Sequence, residues 1–352
     1  MLNFFKEKRV LVTGHTGFKG SWLCRILVNA GAEVTGYALA PSDEQEPLYK
    51  LSEIGGQIKS VFSDIRNYES LCLTFRESRP EIVFHLAAQP IVRASYENPR
   101  YTYETNVMGT VNILECARLF GCVESLVNIT TDKVYRNIEI RKGYSEGDEL
   151  DGYDPYSNSK SCSELVTANY RRSFPGIAAI STVRAGNVIG GGDYAKDRII
   201  PDCIKAARVG RPVLVRNPYS VRPYQFILEP LAAYLELAER QHKDPSMVGA
   251  YNVGPDESGC VTTGELADIF CREWGGAEWN NIGEANAPHE AGLLMLDHSK
   301  ITSALGWKPK WDIRTAVRKT CEWEKGLLSG ENVAEIMDRQ IVAYYENAGE
   351  NI

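Results

Sequence analysis

The sequence of 352 residues lacks several patterns that define other classes of protein. Its nine cysteines are odd in number, widely spaced and free of any C-x-x-C pair, which argues against a disulfide framework and favours reduced thiols in a cytosolic protein. No apolar run is long enough to span a bilayer. The charged residues Lys6 and Lys8 directly precede the first apolar segment and leave no room for the apolar region of a signal peptide. We therefore expect a soluble, cytoplasmic chain.

The charge pattern excludes two further classes. The net charge is -7, from 39 Lys and Arg against 46 Asp and Glu, and the basic residues are scattered, so the electrostatic footprint of a nucleic-acid-binding protein is missing. The five histidines show no metal-ligand spacing, so we expect no metal site. An anionic small ligand must therefore be held by local charges.

The first half of the chain alternates between strand and helix patterns. Amphipathic patterns such as 68–76 and 106–120 predict helices between the strands. Short apolar runs predict the strands, at 10–13, 33–37, 58–62, 81–85 and 125–129. This alternation is typical of an α/β protein with a Rossmann-type, doubly wound parallel sheet.

The second half is less regular. After Val183 the chain has Gly- and Pro-rich connections, and the helical patterns resume at 229–240, 263–273 and 313–328. We predict that residues 1–185 form the Rossmann domain and that residues 186–352 mainly form a smaller mixed domain, from which some strands and helices return to the first.

A glycine-rich run follows the first strand and precedes the first helix. In this position backbone amides and a helix N-terminus can hold a pyrophosphate, which predicts a bound dinucleotide. The spacing is Gly-x-x-Gly-x-x-Gly rather than Gly-x-Gly-x-x-Gly, and the alternative is a tight turn without a ligand. The candidate residues are Gly14, Thr16, Gly17, Phe18, Lys19 and Gly20.

The second strand lacks the acidic residue that usually binds the adenosine ribose, since it ends Gly36-Tyr37-Ala38-Leu39. No arginine replaces it, and Asp43, Glu44 and Glu46 would repel a 2′-phosphate, so the sequence favours NAD over NADP.

Two further strand ends supply candidate cofactor contacts. Asp64, with Ile65, follows the third strand and can reach the adenine, although a solvated turn aspartate is the alternative. Leu86, Ala87 and Ala88 follow the fourth strand, where small residues let a cofactor approach closely. We interpret the preceding His85 as a buried structural residue.

The most informative residues follow the fifth strand and begin the next helix. Tyr156 and Lys160 are four residues apart, so on a helix they share a face and an ammonium can favour the phenolate that accepts an alcohol proton. Thr131 adds a hydroxyl that can orient the alcohol. Asp132 and Lys133 add the carboxyl and amine that acid/base elimination needs, and a surface ion pair is the alternative interpretation.

These motifs together resemble the extended short-chain dehydrogenase/reductases. Within that family the resemblance narrows to the CDP-glucose 4,6-dehydratases. It rests on GHTGFKGSWL at 14–23, YDPYSNSK at 153–160, RAGNVIGGGDYAKDRIIPD at 184–202, RPYQFILEPL at 222–231 and His289-Glu290-Ala291. The sequence departs from the family pattern at Tyr194, Tyr224, Phe226 and Val134, where tryptophan, tryptophan, histidine and cysteine are usual, near the expected nucleotide side.

The resemblance implies NAD as the cofactor and a nucleotide sugar, with CDP-glucose favoured, as the substrate. It implies that Tyr156 deprotonates the hydroxyl on carbon 4, that Lys160 lowers the pKa of this tyrosine, and that Lys133 and Asp132 are base and acid for loss of water. It also implies a homodimer or homotetramer, for which helices at 101–119 and 155–174 are candidates. The implied substrate contacts are Gln89, Asn187, Arg198, Arg222, His289 and Glu290.

Three alternatives remain open from the sequence. The chain could dehydrate another nucleotide hexose, or it could be a nucleotide-sugar 4-epimerase, which needs Tyr156 and Lys160 but not Asp132 or Lys133. It could also be a regulator that binds NAD without turnover, although such chains commonly lose the tyrosine or the lysine.

Overall fold

The structure is a computed structural model that describes residues 2–41, 47–140, 142–283 and 292–346. The described residues form the strands β1 (Arg9–Thr13), β2 (Glu33–Ala38), β3 (Lys59–Phe62), β4 (Ile82–His85), β5 (Ser125–Ile129), β6 (Ala179–Ala185), β7 (Val188–Ile189), β8 (Val213–Val215), β9 (Val221–Pro223), β10 (Gln225–Phe226), β11 (Ala250–Val253), β12 (Cys260–Thr262) and β13 (Trp279–Asn281).

The helices lie between and after these strands, and the chain has the shorter 3₁₀ segments Leu2–Phe5, Ile54–Gly56, Asp132–Val134, Pro245–Met247 and Glu257–Gly259. A π-helical segment, Glu104–Met108, joins two of the helices. The α-helices are α1 (Phe18–Asn29), α2 (Leu48–Leu51), α3 (Tyr68–Ser78), α4 (Val92–Glu97), α5 (Pro99–Tyr103), α6 (Gly109–Phe120), α7 (Pro155–Ser173), α8 (Ile199–Arg208), α9 (Leu228–Lys243), α10 (Thr263–Trp274), α11 (Ser299–Leu305), α12 (Ile313–Leu328) and α13 (Val333–Glu346).

Seven strands form one parallel sheet in the order β11-β6-β5-β4-β1-β2-β3. Neighbouring residues of one strand face opposite sides, so in β4 Ile82 and Phe84 pack in the cluster that contains α1 and α9, while Val83 packs in the cluster that contains α3 and α6. A sheet covered on both faces explains the nearly continuous apolar runs of its strands. The predicted doubly wound α/β fold is confirmed.

Two contacts join the second half of the chain to the first. Strand β11 comes from the second half and pairs with β6 at one end of the sheet. In addition α13 lies against α1, where Arg25 of α1 binds both carboxylate oxygens of Asp338 and donates from Nε at 2.7 Å. The second half is thereby fixed against the helix that follows the glycine-rich loop.

The segment 190–193 lies between α1 and α12. The indole of Trp22 on α1 donates to the carbonyl of Gly191 at 3.0 Å, and a Cβ atom at Gly191 would lie 2.1 Å from the ring of Trp323 on α12. The glycine therefore lets the backbone pass between two tryptophans, both fully buried.

Three observations bear on the expectations from composition. Across residues 2–41, 47–140, 142–283 and 292–346, no helix has the length and apolar character needed to cross a membrane. In the same described residues, no three His, Cys, Asp or Glu side chains are grouped in a way that could hold a metal ion. The nine cysteines carry free thiols.

We expect Gly191→Ala to lower the free energy of unfolding by about 1–3 kcal/mol, because the added methyl group overlaps the Trp323 ring and forces the segment to shift. Chemical denaturation measures this change. Gly56→Ala is the matched control, since a Cβ atom there has no neighbour within 4 Å. Equal stabilities for the two variants would contradict the packing described.

Candidate active site

The carboxyl ends of four neighbouring strands meet along one edge of the sheet. The glycine-rich loop follows β1, Leu86–Gln89 follows β4, Thr130–Lys133 follows β5, and Gly186 with Asn187 follows β6. In an open, doubly wound sheet this edge contains the ligand crevice. Most residues predicted from the sequence to take part in binding or chemistry come together there.

The glycine-rich loop has the backbone shape of a phosphate cradle. Gly14 has a φ of +75°, its amide donates to the carbonyl of Tyr37 at 2.8 Å, and a Cβ atom there would lie 2.9 Å from the Ala87 nitrogen. A Cβ atom at Gly20 would lie 2.1 Å from the carbonyl oxygen of Gly14, so α1 packs directly on the loop. Both positions therefore require glycine.

The N-terminus of α1 is open to a ligand. Gly17 is its N-cap, has no capping side chain and is exposed. The first amides of a helix without a side-chain cap need another acceptor, and a pyrophosphate supplies one. The loop residues therefore fit a dinucleotide.

Thr13 at the end of β1 fixes the loop that follows β4. Its hydroxyl accepts from the amides of Leu86 and Ala87, both at 3.1 Å, and lies 2.8 Å from Nδ1 of His85. Burial, together with the charge of Lys160, lowers the pKa of His85 to about 3. His85 is thus a neutral, hydrogen-bonded core residue, in agreement with its structural interpretation.

Some of the residues predicted to contact the adenosine lie in the described part of the chain. Asp64 forms a bidentate ion pair with Arg66, whose Nη2 lies 2.8 Å from Oδ2, and this hydrogen bonding lowers the pKa of the aspartate. Ile65 is buried and touches the position where Gly109 would carry a Cβ atom. The hydroxyl of Thr16 donates to the carbonyl of Leu39 at 3.0 Å. Asp43, Glu44 and Glu46 lie outside the described residues.

Helix α7 places Tyr156 and Lys160 side by side in the crevice. It begins with Pro155 after the N-cap Asp154, whose carboxylate accepts from the Ser157 amide at 2.9 Å, and such a cap fixes where the helix starts. Both Tyr156 and Lys160 are buried, and the ammonium of Lys160 donates to the carbonyl of Ile129 at 3.0 Å. Lys160 is therefore attached to the strand end that carries Thr131.

The pKa values of Tyr156 and Lys160 are both shifted by burial. Burial raises the pKa of Tyr156 to about 12, against the opposing effects of a hydrogen bond with Thr131 and the charge of Arg198. The group expected to lower this pKa, Lys160, has its own pKa lowered to about 8 by burial. Desolvation is the largest influence on the pKa of each group, because burial in a low-dielectric pocket disfavours the charged form.

The triplet Thr131-Asp132-Lys133 turns inward rather than toward solvent. Thr131 donates to Oδ1 of Asp132 at 3.0 Å, and the ammonium of Lys133 donates to the same oxygen at 3.0 Å and to Oδ1 of Asn187 at 3.3 Å. Asp132 is fully buried, and its Oδ2 has no hydrogen-bond partner among the described residues. A surface ion pair does not describe this arrangement. The triplet therefore has its carboxylate enclosed by the protein.

A glycine on the adjacent strand makes room for this carboxylate. A Cβ atom at Gly186 would lie 2.3 Å from Oδ2 of Asp132. The quoted motif RAGNV contains this glycine, but nothing in the sequence shows which side chain it accommodates. The same is true of Ser161, whose hydroxyl donates to the carbonyl of Val134 at 2.7 Å and so joins α7 to the triplet.

The predicted substrate contacts differ in what they can offer. Asn187 lies beside Lys133, and Arg198 donates to Asp193 at 2.8 Å while its side chain remains about a third exposed at 37%. Arg222 is buried in β9 and donates to the carbonyl of Val221 at 2.9 Å. The side-chain amide of Gln89 already bonds within the protein, to Thr102 and to the amide of residue 91. His289 and Glu290 lie outside the described residues.

The departures from the family pattern divide into two kinds. Phe226 is fully buried between Trp22 and Trp311, and Val134 is fully buried in a small cluster with its neighbours, so both are packing residues. Tyr194 instead shares a hydrogen-bonded group with Arg208, and Tyr224 is buried beside Thr263 at 3.2 Å.

Comparison with known proteins agrees with this geometry. The family model described as GDP-mannose 4,6 dehydratase matches residues 11–320. The CDP-glucose 4,6-dehydratase of Salmonella typhimurium is 45% identical over 97% of this chain and 97% of its own length. A Thermus thermophilus UDP-glucose 4-epimerase in complex with NAD has a TM-score of 0.78 at 27% identity, covering 90% of this chain and 99% of that one. A Bacillus anthracis dTDP-glucose 4,6-dehydratase, 20% identical with a TM-score of 0.77 over 92% and 98% of the two chains, shares the fold.

The fold and the Tyr156 and Lys160 pair thus define an extended short-chain dehydrogenase/reductase. The chain belongs to the GDP-mannose 4,6 dehydratase family within that class. The family resemblance read from the sequence is confirmed.

Two crevice lysines should make stability depend on pH. Burial lowers the pKa of Lys19 to about 7 and that of Lys160 to about 8, from the ordinary 10.5. Between the lowered values and 10.5 the unfolded chain binds more protons than the folded one, so these groups make the free energy of unfolding rise with pH. We expect Lys19→Met and Lys160→Met each to flatten this rise when unfolding is measured from about pH 6 to about pH 9 without added nucleotide.

Lys205→Met on the exposed side of α8 is the matched control and should keep the wild-type slope. An unchanged slope in both crevice variants would contradict the burial of their ammonium groups.

Proposed function

We propose that this chain is an NAD-dependent nucleotide-sugar 4,6-dehydratase, a hydro-lyase that converts CDP-glucose to CDP-4-keto-6-deoxyglucose. The observation that carries the proposal is the meeting of Thr131, Asp132, Lys133, Tyr156 and Lys160 in one crevice, with a buried carboxylate oxygen left without a partner. The 45% identity with the Salmonella typhimurium enzyme over nearly the whole chain supports the same reaction and the same nucleotide base in the substrate.

The glycine-rich loop and the strand ends fit the cofactor. Gly14, Gly17 and Gly20 with Thr16, Phe18 and Lys19 line the pyrophosphate side, Asp64 and Ile65 the adenosine side, and Leu86, Ala87 and Ala88 the floor of the crevice. Tyr156 and Lys160 complete the nicotinamide side. When bound, NAD accepts a hydride from carbon 4 of the sugar and later returns one to carbon 6.

The first part of the reaction needs a base for the hydroxyl on carbon 4. Tyr156 takes this proton, and Thr131, hydrogen-bonded to it, orients the hydroxyl. A phenol with a pKa near 12 is a poor base at neutral pH, so a neighbouring positive charge has to favour the phenolate. Protonated Lys160, one helical turn away, supplies that charge from within the protein.

The second part is loss of water across carbons 5 and 6. A ketone at carbon 4 acidifies the proton on carbon 5, and Lys133 is the base that removes it. Asp132 is the acid that donates a proton to the leaving hydroxyl on carbon 6. Lys133 and Asp132 are hydrogen-bonded at 3.0 Å, so the proton that Lys133 removes from carbon 5 can pass to Asp132 and replace the one given to the leaving hydroxyl.

The second half of the chain supplies the nucleotide contacts. Arg198 and Arg222 carry planar guanidinium groups suited to a pyrophosphate. The side chain of Asn187 lies beside Lys133, 3.3 Å from its ammonium. Gln89, His289 and Glu290 are further candidates, of which Gln89 would act through its backbone and shape since its amide is already paired. Residues 186–352 would thus form most of the substrate side, facing the cofactor side formed by 1–185.

The assembly we propose is a homodimer or homotetramer in the cytoplasm. The π-helical segment Glu104–Met108 and the helices α6 and α7 expose apolar side chains, among them Met108, Leu119 and Leu165 at 50%, 55% and 57%. Pairing of these helices with their copies would cover this surface. The molecular mass in solution, from light scattering, distinguishes a dimer or tetramer from a monomer.

Incubation with CDP-, UDP-, GDP- and dTDP-hexoses tests both the type of reaction and the preference for a nucleotide base. We expect CDP-glucose to be consumed and a product lighter by one water to form, measured by mass spectrometry, with no such product from Tyr156→Phe. A 4-epimerase would give a product of unchanged mass. Binding of NAD without consumption of any of these sugars would leave a regulatory protein as the better description.

The roles of the acid and the base can be separated. In deuterated solvent we expect carbon 5 to take up solvent deuterium during turnover of the wild type, whereas Lys133→Ala should lower the rate of this uptake by about a hundredfold or more, as loss of a general base does. Asp132→Asn should slow loss of water by a similar factor. Lys205→Ala is the control for a lysine outside the crevice, and wild-type deuterium incorporation in Lys133→Ala would remove the base assignment.

A further inference from the structure

Glu164 lies one helical turn beyond Lys160 on α7 and is almost fully buried, at 3% exposure. Its carboxylate accepts from three donors, one directly after β5 and two on β6. Oε1 accepts from the hydroxyl of Thr130 at 2.5 Å, while Oε2 accepts from the hydroxyl of Thr182 at 2.7 Å and from Nη2 of Arg184 at 2.9 Å. A buried carboxylate with this many partners is held in one orientation.

The first of these partners leads directly to the chemistry. Thr130 immediately precedes the triplet of Thr131, Asp132 and Lys133, and it is the last residue before the chain turns into the crevice. The ammonium of Lys160 is bonded to the neighbouring carbonyl of Ile129 at 3.0 Å. Two side chains of α7 therefore hold the end of β5, one above the other.

The partners on β6 connect the carboxylate to the rest of the sheet. Arg184 of β6 donates to Glu164 and, through Nη1, to the hydroxyl of Tyr135 at 2.8 Å and the carbonyl of Glu146 at 3.2 Å. Tyr135 in turn donates to Asn252 of β11 at 2.7 Å. Glu164 is thus the point at which the helix, the catalytic strand end and the next two strands of the sheet are joined.

We propose that Glu164 is a positioning residue of the active centre, which fixes the end of β5 against α7 and keeps a negative charge one turn below the Lys160 ammonium. The inference rests on the proposed function for what the centre does, but the contacts that carry it do not depend on the substrate. It assigns a function to a residue that touches neither cofactor nor sugar.

The electrostatic part of this role has a definite sign. Burial lowers the pKa of Lys160 and the charge of Glu164 raises it, so removing that charge should let Lys160 lose its proton at lower pH. A purely structural carboxylate would not move this titration. Other titratable or charged groups around Lys160 and Glu164 are Tyr156 and Arg171 of α7, Lys19 of α1, His85 of β4, Arg184 of β6, Lys300 of α11, and Tyr135 with Glu146 from the segment after β5.

The test compares two variants that break the same ion pair. Glu164→Gln removes the negative charge and Arg184→Gln removes the positive one, and both face a cavity of about 590 Å³ in which water can replace the lost group. We expect the alkaline limb of the pH profile of kcat to move down by about one unit in Glu164→Gln, as for a unit charge one helical turn away, and not to move down in Arg184→Gln.

Two further variants test the positioning part. Thr130→Val leaves the charge of Glu164 in place but removes its contact with the strand end, so kcat should fall about ten- to a hundredfold with the alkaline limb unchanged. Glu164→Asp keeps the charge on a shorter side chain and should behave in the same way, which also covers the case that Glu164→Gln does not fold. Identical limbs in Glu164→Gln, Arg184→Gln and the wild type would overturn the electrostatic role, and wild-type kcat in Thr130→Val would overturn the positioning role.

A measurement without substrate separates this inference from the proposed function. The rate at which a small amine-directed reagent labels Lys160, followed by peptide mass spectrometry over a range of pH, reports its titration directly. If no nucleotide sugar is consumed by the wild type, the proposed function fails, yet a lower labelling midpoint in Glu164→Gln than in Arg184→Gln would still support Glu164. Active wild type with equal midpoints in the two variants would overturn the inference alone.

Discussion

The active crevice depends on the attachment of α7 to the end of β5. The bond from the Lys160 ammonium to the carbonyl of Ile129 satisfies a charged group inside the protein at the same point that fixes the catalytic strand. Ser161 adds a second bond, to the carbonyl of Val134 on the far side of the triplet. Because a buried ammonium without an acceptor would be very costly, the helix and the strand end cannot separate without a large loss of stability. The same contact therefore stabilises the core and positions the end of β5 beside α7.

Burial disfavours the charged forms of Tyr156 and Lys160. The pKa of Tyr156 is raised and that of Lys160 is lowered, so each tends toward its uncharged form. Lys19, the second residue of α1, also has its pKa lowered by burial. A crevice lined by amines with lowered pKa values is prepared for anionic groups, since a pyrophosphate that enters restores their protons and their charge.

The second half of the chain completes the crevice because it is fixed to the first. Strand β11 extends the sheet, the Arg25 and Asp338 pair joins α1 to α13, and Gly191 passes between Trp22 and Trp323. These contacts hold the segment before Arg198 at a defined place beside the glycine-rich loop. Glycine is required there by the lack of space between two indole rings, not by an unusual backbone angle.

The sequence by itself determined the alternation of strands and helices, the glycine-rich loop and the helical spacing of Tyr156 and Lys160, because these are local patterns with fixed periods. Only the tertiary structure decided that Asp132 is buried with a free oxygen opposite Gly186, that the amide of Gln89 is already paired, and that Phe226 is a packing residue. It also revealed Glu164, although its position four residues after Lys160 was visible in the sequence. Contacts between residues far apart in the chain set burial and hydrogen-bond partners, and those in turn set pKa values and the space open to a ligand.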